Sequence, residues 1–194
     1  MTSAELTGSL LRGLILYGLL PLWIAAGWLD WWCHYKTDIE HNSGLKETFL
    51  HALMGILVFV PIWLALTWRI NVMVLLVSCI VLIAHEITAH MDILYAKSCR
   101  REISVWEHHA HAWLSTIPWF IFSLMVVINW TTWQELVHFN WEGQLSLQSK
   151  EETLGHSNYK RDFFIVAFFL GYLPYLHEGV RCWKNRGKST GPVA

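Results

Sequence analysis

The chain has 194 residues, of which 54% are hydrophobic and 15% charged, and a mean hydropathy of +0.35 marks a protein whose natural solvent is a bilayer. Fourteen Lys and Arg against fifteen Asp and Glu exclude the cationic surplus of a nucleic-acid binder, and the apolar composition excludes disorder. Thirteen Trp and eleven His are the outliers. Trp favours the membrane interface, whereas His near a bilayer is costly without a partner, so function is sought among the histidines.

About 20 apolar residues cross a hydrocarbon core roughly 30 Å thick, and the predicted fold is one all-α domain over 1–194, a polytopic helix bundle with four or five transmembrane helices. The first span is predicted near 10–32. It reads as a retained helix and not a signal peptide, because only Arg12 precedes its apolar run, no small-residue cleavage signature follows, and ligand-type residues lie just beyond. Asn42-Ser43-Gly44 reads as a turn, with Ser43 or Thr48 as a cap and Gly44 for an awkward backbone angle. The second span follows near 48–68, and the third near 70–92 continues past His85 if its polar residues face protein. The fourth lies near 110–133. The stretch 163–183 either crosses as a tilted or Pro174-kinked helix or lies in the interface. Strands are excluded by the lack of period-two alternation. Cys33, Cys79, Cys99 and Cys182 lack CxxC spacing and read as free thiols.

With five spans, Lys36, Lys46, Lys97, Arg100, Arg101, Arg181, Lys184, Arg186 and Lys188 share one side, against Arg12, Arg69, Lys150, Lys160 and Arg161 on the other. The positive-inside rule makes the first side, with the C-terminus, cytoplasmic.

The chemistry-bearing residues gather at that side. Asp30, His34 and His41 leave the first helix, Glu47 and His51 begin the second, His85 and Asp92 end the third, and Glu107, His108, His109 and His111 begin the fourth. Positions i, i+4 and i+7 share a helix face, so Asp30 and His34, Glu47 and His51, His85 and Asp92, and Glu107 and His111 are His–carboxylate pairs. One pair alone could be a hydrogen-bonded interfacial cap. Four converging pairs predict a metal site, in which the carboxylate either ligates beside the His or orients its second ring nitrogen. Eight or more nitrogen and oxygen donors, without thiolate, exceed the needs of one zinc and suit two ions, most simply iron, with zinc or manganese as alternatives.

His138 and His156 lie in a polar segment on the opposite side and read as solvated; His177 and Glu178 reach the site only if the fifth stretch crosses. Trp28, Trp31, Trp32, Trp106 and Trp113 read as an interfacial belt. GxGxxG, Walker, GxSxG and CxxCH signatures are absent.

His85-x4-His90 and His108-His109-x-His111, at the cytoplasmic ends of membrane helices, resemble the histidine boxes of the integral-membrane di-iron enzymes, the fatty acid desaturase and hydroxylase group. That group uses HxxxH and HxxHH boxes; here the spacings are longer or reversed, and Asp and Glu are more prominent. The resemblance implies oxygen activation on a hydrophobic small-molecule substrate, with electrons from a separate donor. The sequence thus leads to a membrane-embedded binuclear metal oxidoreductase. A zinc-dependent membrane lipid hydrolase and a non-enzymatic haem or metal-binding protein are the rival expectations.

Overall fold

The computed structural model describes residues 2–99, 101–150 and 155–187, and among them the chain is all α. It has five helices long and apolar enough to cross a membrane: α1 Ser3–Lys36, α2 Leu45–Thr67, α3 Val72–Ser98, α4 Val105–Ile128 and, after a short α5 Trp130–Val137, α6 Tyr159–Lys184. This is the fold of a multi-pass membrane protein. The 163–183 stretch is part of a 26-residue helix, long and apolar enough to cross.

Burial follows a helical stripe in each segment. On α3 the inward row is Leu75, Ser78, Leu82, His85, Asp92 and Ala96, while Ile80, Ile83, Ile87 and Met91 are exposed on the other side. Such a surface would be a liability in water and is the expected one in lipid. α2 packs along α3, α1 along α4, and α6 lies against both α1 and α2. The membrane-depth core is formed by Leu16, Leu20, Ile24, Val58, Ile62 and Phe163.

Local chemistry sets the helix ends. Gly44 precedes α2 at φ 63°, the left-handed region that glycine adopts without a Cβ clash, so it does supply the unusual backbone angle. Neither Ser43 nor Thr48 caps that helix; the Thr48 hydroxyl turns inward instead. Ser104 caps α4 by accepting the Glu107 N–H at 3.2 Å, and Asn71 caps α3 through Val74 N–H at 3.0 Å. α4 stops at Ile128, short of the expected 133, because Asn129 breaks the helix before α5.

α1 and α6 each contain a π-turn, Ile15–Leu19 and Ala167–Tyr172. Pro21 and Pro174 follow them closely. A proline ring clashes with the carbonyl four residues back and removes a donor, and a widened turn accommodates both defects. The expected Pro174 irregularity therefore takes the form of a π-turn.

At the opposite end, the segment after α5 folds onto the α2–α3 turn. Arg69 N–H donates to the Gln148 carbonyl at 2.9 Å, and the Asn71 amide donates to the Ser146 carbonyl at 2.7 Å. His156 lies in this region, exposed and paired with Asp162 at 3.0 Å. All four cysteines are free thiols.

Candidate metal centre

Each of the five long helices sends at least one ionisable side chain to a single buried cluster. α1 supplies Asp30 and His34, α2 supplies Glu47 and His51, α3 supplies Asp92, α4 supplies Glu107 and His111, and α6 supplies Glu178. The three acidic-x3-His pairs work as the 3.6-residue period requires, both members facing inward one turn apart. Asp30, His34, Glu47, His51, Asp92, Glu107 and Glu178 are all buried.

The contacts, from 2.9 to 3.7 Å, bracket the separation expected of ligands that share an ion. His111 Nε2 lies 2.9 Å from Asp30 Oδ1, and His34 Nε2 lies 3.7 Å from that same oxygen and 3.3 Å from Glu107 Oε1. His51 Nε2 lies 3.2 Å from Asp92 Oδ2. Two donors bound to one ion at about 2.1 Å, at tetrahedral to octahedral angles, are about 3.0–3.4 Å apart. Donor atoms of Asp30, His34, His51 and His111 lie within 4.8 Å of one another, and so do those of Glu47, His51 and Asp92, and of His34, Glu47 and Glu107. Sharing His34, Glu47 and His51, the three groups form one continuous patch.

Three carboxylate oxygens are buried without a hydrogen-bond partner, Glu47 Oε2, Asp92 Oδ1 and Glu107 Oε2, while Asp30 Oδ1, His34 Nε2 and His111 Nε2 meet only one another and Glu107 as close ionic contacts. Buried polar atoms are normally satisfied, and a concentration of exceptions calls for a ligand or an ion. Charge leads to the same inference. With the imidazoles neutral, five carboxylates and the single guanidinium of Arg101 leave four negative charges, the charge of two divalent cations. Protonating all three imidazoles would still leave one charge uncompensated and would remove their lone pairs from any ligand role.

Glu178 is placed to orient His34, and its charge lies beside His51. Its Oε2 accepts from His34 Nδ1 at 2.9 Å, its Oε1 lies 3.7 Å from His51 Nδ1, and the Thr48 hydroxyl donates to Oε1 at 2.9 Å. With Nδ1 carrying the proton, His34 Nε2 presents its lone pair on the opposite edge, toward Asp30 and Glu107, whereas His51 Nε2 is hydrogen-bonded to Asp92 Oδ2 at 3.2 Å. The two rings stack with centroids 4.5 Å apart. The Tyr175 hydroxyl donates to Asp30 Oδ2 at 3.0 Å, fixing that carboxylate with Oδ1 turned to the histidines.

Arg101, from the α3–α4 connection, is buried between Glu47, at 2.5 Å, and Glu107. Burial works against its charge, but the hydrogen bond to Glu107 and the charges of Glu47 and Glu107 more than offset it, raising its pKa above the ordinary guanidinium value. It engages Oε1 of each Glu and leaves both Oε2 atoms to the cluster.

Other expected residues lie outside these three groups. His85 is buried, lines the cavity that Asp30, His51, Asp92 and His111 also line, and pairs with Glu86 at 3.3 Å, while its i+7 partner Asp92 turns to His51. His108 is exposed and lines the adjoining cavity. His109 is exposed, with its ring against Trp106. His41 lies on a 3-10 turn with Asp38 and Glu40, and Glu40 is held by Arg181 at 2.5 Å. His177 is exposed, its ring edge-on to Trp31.

Sequence reasoning missed Tyr175 and Arg101 as site residues and left Glu178 conditional on the last stretch crossing the membrane. The signal for Glu178 was its four-residue spacing from Pro174 and Cys182, which form the buried row of that helix; His177 is one residue, about 100°, off that row.

A cavity of about 540 Å³ opens beside the cluster, with Asp30, His51, Asp92 and His111 at one end and Gly55, Phe59, Leu114 and Tyr172 along its walls. Compared with known proteins, the chain matches no family model, no curated protein and no solved structure.

Proposed function

We propose that this protein is a membrane-embedded oxidoreductase with a binuclear metal centre, and that it acts on an apolar molecule, as histidine-box di-iron enzymes do. The observation that carries the reading is the buried excess of carboxylate over cation, with unpartnered donor atoms converging from separate helices. Asp30, His34, His51, Asp92 and His111 would hold the ions, and the second oxygens of Glu47 and Glu107 are available to complete the two coordination spheres. Two iron ions there would supply oxygen activation, with electrons from a separate donor.

The chain's own residues do the rest. Glu178 fixes the tautomer and orientation of His34, Asp92 orients His51 through Nε2, Tyr175 orients Asp30, and Arg101 offsets part of the charge that would otherwise repel Glu47 from Glu107. The adjoining cavity receives the substrate from the lipid and keeps water from the reacting position. In the proposed orientation the centre and C-terminus are cytoplasmic, on the side that carries the larger share of Lys and Arg.

Metal analysis and an optical spectrum of the purified protein test this. Two irons per chain without a Soret band are expected. Two zincs would assign the centre to a hydrolase of lipid amides or esters instead, and a Soret band would assign it to haem. Face-to-face stacking of His34 and His51 leaves no room for a macrocycle between those rings. A protein without bound metal that is fully folded and cannot be loaded with Fe, Mn or Zn would refute the proposal.

A further inference from the structure

A second cavity, of about 400 Å³, lies at the end of the bundle remote from the cluster. Its walls are apolar, formed by Leu16, Leu20, Val58, Leu66, Phe122 and Met125, and it is lined also by Arg12 of α1, Arg69 of the α2–α3 turn and Lys150 of the α5–α6 segment. No Asp or Glu is among the described residues that line it. Trp23 and Ile62 border both this cavity and the one beside the cluster, so they form the partition between the two.

Cations at helix ends ordinarily extend to lipid headgroups singly. Here three from separate segments meet one apolar cavity, and Lys150 Nζ is fixed by donating to the Ala65 carbonyl at 2.8 Å. From Arg12 to Trp23 is about 16 Å along α1 at 1.5 Å per residue, close to half the roughly 30 Å hydrocarbon core, which is the depth of one leaflet.

We infer that this cavity binds the acyl chain of an anionic amphiphile, its carboxylate or phosphate held by Arg12, Arg69 and Lys150 and its chain ending against Trp23. Charge complementarity selects the head and cavity depth selects the tail. The inference is independent of the metal reading.

The test uses the intact chain in zwitterionic detergent and follows Trp fluorescence quenched by probes brominated at mid-chain: a free fatty acid, phosphatidylglycerol, phosphatidylcholine and a fatty alcohol. Quenching lost in Trp23→Phe isolates the signal of the partition. Either anionic probe should produce that signal at roughly fivefold or more lower concentration than phosphatidylcholine or the alcohol, and an Arg12→Gln/Arg69→Gln variant should abolish the preference. Preference for the fatty acid identifies a free carboxylate as the head, and preference for phosphatidylglycerol a lipid phosphate. Equal quenching by all four probes, or none that depends on Trp23, overturns the inference. Native mass spectrometry needs no Trp23 variant: the wild-type chain should retain one anionic amphiphile that the double variant loses, and indifferent retention of zwitterionic and anionic lipids also overturns it.

Discussion

Replacing Glu178 by Gln keeps the size of the side chain but removes the charge that orients His34 and lies beside His51. The new amide has two choices. Turning its oxygen to His34 Nδ1 preserves the tautomer but loses the negative charge that makes the ring a better donor. Turning its NH2 there forces the proton onto Nε2, the nitrogen that faces Asp30 and Glu107, and removes the lone pair a metal needs. Loss of one orienting partner commonly costs about 10 to 100-fold in metal affinity. Because Glu178 holds His34 at 2.9 Å and its charge lies 3.7 Å from His51, the upper end is expected, about 2.8 kcal/mol at 1.4 kcal/mol per decade. Metal content would be measured after equilibration with graded chelator, with helix content followed by circular dichroism. Glu40→Gln, which disturbs the Arg181 pair on the Ile39–His41 turn and not the buried cluster, and His177→Ala should leave metal binding at the cluster as in the wild type. Unchanged affinity in Glu178→Gln, with both controls normal, would refute the orienting role and with it the assignment of Nε2 as the ligating atom.

Arg101→Leu should destabilise the fold by about 3–5 kcal/mol, because it leaves Glu47 and Glu107 buried without their shared cation; Arg101→Lys should recover only part of this, since an ammonium lacks the planar fork. Unfolding in detergent measures both, and a loss under about 1 kcal/mol in Arg101→Leu would argue against a structural charge bridge. His111→Ala and Asp92→Asn should each lose metal at one or both positions with helices intact, whereas His109→Ala and His156→Ala should keep it; equal metal in all four variants would sink the ligand set. Reporter fusions after Ser98 and after Lys184 should map to the same side of the membrane, and opposite sides would contradict the five-span topology.

The spans were legible because a bilayer imposes one length rule on every helix, and the acidic-x3-His pairs were legible because i and i+4 share a face whatever the fold. Which neighbour such a pair meets is tertiary information. His85 and Asp92 share an inward row on α3, yet His85 turns to Glu86 and Asp92 to His51 on another helix. Arg101 was read only as a loop charge that fixes orientation, since nothing local announces that the α3–α4 connection folds its guanidinium back between Glu47 and Glu107. His41, His108 and His109 looked equivalent to His111 by type, and only the rotation of each helix distinguishes them. Glu178 depended on whether the last stretch crosses, the one span the length rule left open.

The π-turn in α6 bears on how that last residue reaches the cluster. Its buried residues recur at four-residue steps, Tyr159, Phe163 and Ala167 before or within the turn and Pro174, Glu178 and Cys182 after it. On an uninterrupted α-helix, the 23 residues from Tyr159 to Cys182 would carry such a row about 140° around the axis, turning one end toward lipid. A widened turn acts as a one-residue insertion and takes back about 100° of that drift. Phe163 in the apolar core and Glu178 at the cluster can therefore face the same bundle from opposite depths, so the π-turn acts as a phase correction between the half of the helix that packs and the half that carries the chemistry.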